Sequence, residues 1–220
     1  MSAQPPERER EPRLSAHGER TVVIIPNGGA NTASLRFALE RLQVSSLVSA
    51  EPARIRAATH VILPGVGAAA DAMMRLRGAH LDELLPALRQ PVLGICLGMQ
   101  LLFEASDEGH TSCLGIIPGR AVRFAEAPGQ PVPHMGWNTL HSRCESPLLT
   151  GVDADAHAYF VHSYALPVSP VTVASTCYGT EFSACVEWRN FYGVQFHPER
   201  SAAAGSRILQ NFLGIHQEPV

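Results

Sequence analysis

The chain has 220 residues, 45% of them hydrophobic and 17% charged, with a formal net charge of −3. That length supports one domain with its own core, and the charge balance leaves no footprint for nucleic acid. All 17 basic side chains are Arg, which excludes a lysine Schiff base and a Walker-type lysine.

Residues 1–20, MSAQPPEREREPRLSAHGER, are polar and mixed in charge, with no apolar core for a signal peptide. They read as a disordered extension ahead of a single domain over 21–220. TVVII (21–25) is a short buried strand closed by the loop PNGGAN, and TASLRFALERL (32–42) has helical spacing. THVILPGVG (59–67) is a second strand running into a Gly-Pro loop, HLDELLPALRQ reads as a helix, and PVLGI (91–95) is a third strand. This alternation predicts an α/β fold with a mostly parallel sheet flanked by helices. Beyond about residue 112 the chain is rich in turns and strands, among them HAYFVHSYAL, PVTVAST and SACVEWRNFYGVQF. SRILQNFLGI closes it as an amphipathic helix, so the fold acquires a strand-rich C-terminal half. No apolar run reaches the roughly 18 to 20 residues of a membrane helix. The cysteines at 96, 113, 144, 177 and 185 are odd in number and lack any CxxC. Reduced thiols in the cytoplasm, with no metal and no cofactor, are expected.

GICLGMQLLFE (94–104) places Cys96 at the junction of the third strand and a helix, between Gly94 and Gly98. A packed core cysteine is the plain alternative. G-x-C-x-G is also the cysteine form of a nucleophile elbow, in which a sharp turn pushes the side chain into a cleft. Free N–H groups at a helix start favour a thiolate there. A thiol nucleophile needs a base, an orienter and oxyanion donors. GVQFHPERS (193–201) supplies the first two: in an extended segment His197 and Glu199 share a face, and Pro198 biases His197 toward that conformation. LPGVG (63–67) exposes backbone N–H groups after a strand, and Leu97 N–H is the natural second donor.

These three blocks resemble the class I (triad) glutamine amidotransferases, from about residue 21 to the C-terminus. Within that class, PHMGWN (133–138), YFVHSY (159–164) and FEASDEG resemble the signatures of the glutaminase subunits of imidazole glycerol phosphate synthases, in histidine biosynthesis. The resemblance implies Cys96 as nucleophile, His197 as general acid/base and Glu199 as its partner. It implies oxyanion donors at Gly65, Val66 and Leu97. It assigns L-glutamine binding to Gln100, Glu108, His162, Ser163 and Tyr164. Asn31, His134, Met135, Trp137, Asn138, Tyr159 and Arg200 would face a separate (β/α)8-barrel cyclase/synthase subunit in a heterodimer. Ammonia from glutamine would pass to that subunit to make imidazole glycerol phosphate and an aminoimidazole carboxamide ribotide. The resemblance implies no role for a metal, nucleic acid or membrane.

Two positions depart from the family pattern. The first loop, D-Y-G-x-G-N in the family, reads Pro26-Asn27-Gly28-Gly29-Ala30-Asn31, and His-Pro-Glu is followed by Arg200 where Lys is usual. Another amidotransferase, a γ-glutamyl hydrolase-like peptidase and a non-catalytic regulatory subunit are the alternatives. The intact Cys96, His197 and Glu199 speak against the last.

Overall fold

The computed structural model describes residues 20–28 and 31–216. The extension expected over 1–20 therefore lies outside the described residues, apart from Arg20. The first half runs β1 (Val22–Ile24), α1 (Asn31–Arg41), β2 (Ser46–Val48), α2 (Pro52–Ala57), β3 (His60–Gly65), α3 (Ala69–Gly78), α4 (Leu81–Leu84), β4 (Val92–Cys96) and α5 (Leu97–Leu101). The second runs β5 (Phe103–Ser106), β6 (Thr111–Ser112), β7 (Ile117–Arg123), β8 (His134–Thr139), β9 (His141–Ser142), β10 (His157–His162) and β11 (Tyr164–Ala165). It ends with β12 (Thr172–Tyr178), β13 (Thr180–Trp188), β14 (Phe191–Val194) and α6 (Ala202–Gly214).

An eight-stranded sheet has the order β2-β1-β3-β4-β14-β13-β12-β9. Neighbours from β2 to β14 are parallel, and those from β14 to β9 are antiparallel. The central strands are buried on both faces, which explains their continuous apolar runs. Val22, Ile24, Ile62, Leu93 and Ile95 pack on one face with Leu35 and Leu39 of α1 and Ile208 and Phe212 of α6. Val23, Val61, Leu63 and Val92 pack on the other with Ile55, Met73, Leu76 and Leu81 of α2, α3 and α4. A small sheet, β11-β7-β5-β6, and the antiparallel pair β8–β10 complete the molecule.

Two expected helices are shorter than their patterns suggest. HLDELLPALRQ forms only the four residues of α4 and a tight turn over Leu85–Ala87, because Pro86 removes a donor and clashes with a continuing helix. The helix after Cys96 lasts five residues before the chain turns into β5. No helix among the described residues is long and apolar enough to cross a membrane. The loops after β3, β4 and β14 all emerge at the carboxyl ends of adjacent parallel strands, where α/β sheets bind ligands.

Candidate active site

Cys96 ends β4 and caps α5 with φ 53° and ψ −113°. A non-glycine residue in that region stores roughly 1–3 kcal/mol and persists only when its surroundings hold it. The glycines on either side provide the hold. A Cβ on Gly98 would collide with the Leu63 carbonyl of β3, and one on Gly94 would sit 2.7 Å from the Gly98 oxygen. Both positions must lack a side chain for α5 to lie directly on the sheet. Because α5 is so short, the electrostatic help it gives the sulfur rests on its first free N–H groups rather than on a long helix dipole.

His197 follows β14 in an extended conformation (φ −98°, ψ 100°), as expected for a residue before Pro198. Its Nδ1 lies 2.9 Å from Glu199 Oε1, and both side chains are buried. The His197 side chain also hydrogen-bonds Cys96. Burial alone would lower the His197 pKa, but the hydrogen bonds and negative charge of Cys96 and Glu199 prevail and push it up to about 10. The ring therefore carries a proton at neutral pH and places positive charge beside the sulfur. The loop is pinned from behind. The His197 N–H donates to the Tyr159 carbonyl oxygen at 3.0 Å. Ser201 Oγ donates to the His197 carbonyl at 2.7 Å and accepts from the Tyr159 N–H at 2.9 Å.

A cavity of about 410 Å³ opens over the sulfur, lined in part by Val66, Cys96, Gln100, Glu108, Tyr164 and His197. Gly67, Leu97, Val161, His162 and Ser163 also border it, so the glutamine-binding residues expected from the sequence meet in one place. Gln100 Nε2 donates to the Tyr164 carbonyl (2.8 Å) and to Gln195 Oε1 (3.0 Å). Gln195 Nε2 in turn lies 3.7 Å from Cys96 Sγ. Glu108 Oε2 accepts from the Ala69 N–H at 2.7 Å, which fixes its carboxylate at the start of α3. Of the expected oxyanion residues, Val66 and Leu97 line this cavity. Gly65 pairs with Cys96 in the sheet register and borders a much smaller cavity behind His197 and Glu199.

The pair β8–β10 splits the expected partner residues by strand alternation. Met135 and Trp137 point outward, 63% and 54% exposed. Trp137 meets the Tyr159 ring edge-on, and the Arg200 guanidinium lies 5.5 Å over that ring. His134 differs from its expected place at a surface. It is buried, stacked on Tyr178 and Phe160, with Nδ1 3.3 Å from His162 Nε2. Asn138 donates to the Cys177 carbonyl and is half-buried. Asn31 opens α1, and the loop before it is described only through Gly28. There the Arg75 guanidinium donates to the Asn27 carbonyl at 3.2 Å.

Sequence reasoning missed Gln195 and Ser201, although both sit inside the GVQFHPERS block. The available signal was a polar residue within an apolar strand end, and a serine one helical turn after His197. Among the described residues no group of three His, Cys, Asp or Glu side chains could hold a metal ion.

A family model, glutamine amidotransferase class-I, matches residues 23–215. The imidazole glycerol phosphate synthase subunit HisH of Xanthomonas euvesicatoria pv. vesicatoria (strain 85-10) is 54% identical over 192 residues, covering 87% of this chain and 96% of that protein. The subunit of the same name from Vibrio cholerae serotype O1 is 47% identical over 202 residues, covering 89% and 99%. Among solved structures, PurLQS from Thermotoga maritima matches with a TM-score of 0.67 at 16% identity, covering 89% of this chain and 98% of that chain. At that identity the likeness speaks for the fold alone.

Proposed function

The chain belongs to the class-I glutamine amidotransferase family, and from that premise we infer that it is the glutaminase subunit of imidazole glycerol phosphate synthase, in histidine biosynthesis. The observation that carries the reading is the buried chain Cys96–His197–Glu199 at the floor of a cavity of about 410 Å³.

In this reading Cys96 Sγ attacks the side-chain carboxamide carbon of L-glutamine. The Leu97 N–H and the Gly65–Val66 segment receive the developing oxyanion. His197 gives its proton to the amide nitrogen, the C–N bond breaks, and ammonia leaves an acyl-thioester on Cys96. Water then attacks the thioester, His197 takes its proton, and glutamate departs with the sulfur restored as leaving group. Both N–H donors of the Gln100 amide are already committed, so it offers the substrate its acceptor oxygen. The carboxylate of Glu108 suits an ammonium group at the same rim.

The partner we propose is a separate (β/α)8-barrel cyclase/synthase subunit that receives the ammonia, docked on the face of Met135, Trp137, Tyr159 and Arg200. An exposed aromatic and thioether patch next to the cavity mouth supports that placement. One domain over 21–220 carries the activity, and the five unpaired cysteines fit a reducing cytoplasm.

Glutamate release from glutamine tests the reading, measured on the chain alone and with a barrel subunit and its nucleotide. Low basal turnover that rises by orders of magnitude, and disappears in Cys96→Ala, is expected. High basal turnover indifferent to the partner would overturn it in favour of a free-standing hydrolase.

A further inference from the structure

Gln195 leaves β14 two residues before His197, between the fully buried Val194 and Phe196, and is itself 0% exposed. A primary amide in an apolar position costs stability unless its donors and acceptor are engaged, and a hydrophobic residue would fill the same space without that penalty. The amide is engaged, and its partners are informative. Oε1 accepts from Gln100 Nε2 at 3.0 Å, and Nε2 points at Cys96 Sγ at 3.7 Å.

The orientation of this amide follows from chemistry. The Tyr164 carbonyl can only accept, so the Gln100 atom 2.8 Å from it is Nε2. The second Gln100 proton then goes to an acceptor, which makes the facing atom of Gln195 its oxygen. Only the Gln195 N–H₂ is left for the sulfur. A directed chain runs from Tyr164 through Gln100 and Gln195 to Cys96. It starts at two residues that line the glutamine cavity and ends on the reacting atom.

We propose that Gln195 is a further catalytic residue, whose side-chain N–H holds the Cys96 sulfur in its anionic form and steadies it as leaving group when the thioester is hydrolysed. A hydrogen-bond donor interacts more strongly with a thiolate than with a thiol or thioester sulfur, so its contribution is felt where negative charge sits on sulfur. Because Gln100 fixes the aim of that donor, a ligand that engages Gln100 also bears on the nucleophile. The inference rests on Cys96 being the nucleophile.

The test is the pH dependence of Cys96 alkylation by iodoacetamide in the full chain, read on the Cys96 peptide by mass spectrometry. Gln195→Glu keeps the size and an acceptor for Gln100 but turns a carboxylate oxygen toward the sulfur. Gln195→Met keeps the volume and removes both partners. The midpoint of the alkylation profile is expected to rise by about one pH unit in each variant that folds. In the unaltered chain, the Gln195 side-chain amide resonances are expected to move as Cys96 titrates and to stay fixed in Cys96→Ser, a readout that needs no variant of Gln195. An unchanged alkylation profile, or amide resonances that ignore Cys96, would overturn the proposal. Glutaminase activity surviving in Cys96→Ala would instead bring down the assignment of the nucleophile itself.

Discussion

Glu199 shows how one buried carboxylate sets the state of the whole site. It reaches Nδ1 of His197, and with Cys96 it keeps that ring protonated well above neutral pH. In Glu199→Gln the negative charge of one of the two residues that raise the His197 pKa is gone, so the value falls from about 10 toward the ordinary range. The proton needed by the departing ammonia is then lost at lower pH. Stimulated glutaminase activity is expected to drop by about a hundredfold or more at its optimum, with the alkaline limb of the pH–rate profile moved toward neutrality. An alkaline limb in its original place would show that His197 does not depend on Glu199. At this scale the sequence was legible where chemistry lies in contiguous blocks, as in G-x-C-x-G and His-Pro-Glu. It was opaque for Gln195, whose role depends on β4 and β14 being neighbours in the sheet. His134 reads as a surface contact in PHMGWN because only the register with β10 shows which side of the strand faces in.

In the proposed assembly the pair β8–β10 is the element that joins catalysis to association. Its inner face carries His134, Phe160 and His162 into the aromatic core, while its outer face carries Met135, Trp137 and Tyr159. The alternation of a strand turns these two sets to opposite sides, so an exposed outer side chain can be shortened without opening a cavity on the inner face. Trp137→Ala is expected to leave the isolated chain as stable as before, within about 0.5 kcal/mol, since the side chain is half exposed. Affinity for the proposed barrel subunit is expected to fall by about 2 kcal/mol or more, as for loss of an aromatic side chain at the centre of an interface. Calorimetric titration of the partner, alongside a thermal melt of the chain alone, separates the two effects, and undiminished affinity would move the interface elsewhere. The α/β alternation and the strand-rich half were legible because hydrophobic periodicity reports them directly. Helix lengths were not, since α5 and α4 are cut short by where the chain must turn next and by Pro86, and not by their apolar pattern.

Across the whole molecule, buried histidines of opposite habit shape the response to pH. Burial lowers His134 to about 4 and His162 to about 3, the latter with further lowering from the charge of His134 and His197 and partial relief from its bond to the Tyr164 carbonyl. Both stay neutral in the folded protein at pH values where the unfolded chain, with an ordinary histidine near 6.5, is already protonated. The unfolded state therefore binds more protons between about pH 6.5 and pH 4, and stability must fall as pH drops through that window. At about 1.4 kcal/mol per pH unit for each uncompensated proton, the two rings together withdraw on the order of 6 kcal/mol by pH 4. His197 has the opposite sign. Its contribution is present in full below its ordinary value and is lost as pH rises through about 10. Stability should accordingly be greatest near neutral pH and decline on both sides, with the acid branch belonging to the core beneath β8–β10. Urea unfolding from pH 7.5 to pH 4 measures the branch, and ring resonances assign it. His134 and His162 are expected to show no titration above pH 5, and a midpoint near 6.5 for either ring would remove it from the account. The same two rings tie the strand pair to the cavity: His134 stacks on Tyr178 and Phe160, and His162, which lines the cavity, bonds the Tyr164 carbonyl that also receives Gln100. Acid that protonates them would strain the glutamine cavity and the partner face together, so loss of activity and loss of association are expected to follow one pH dependence.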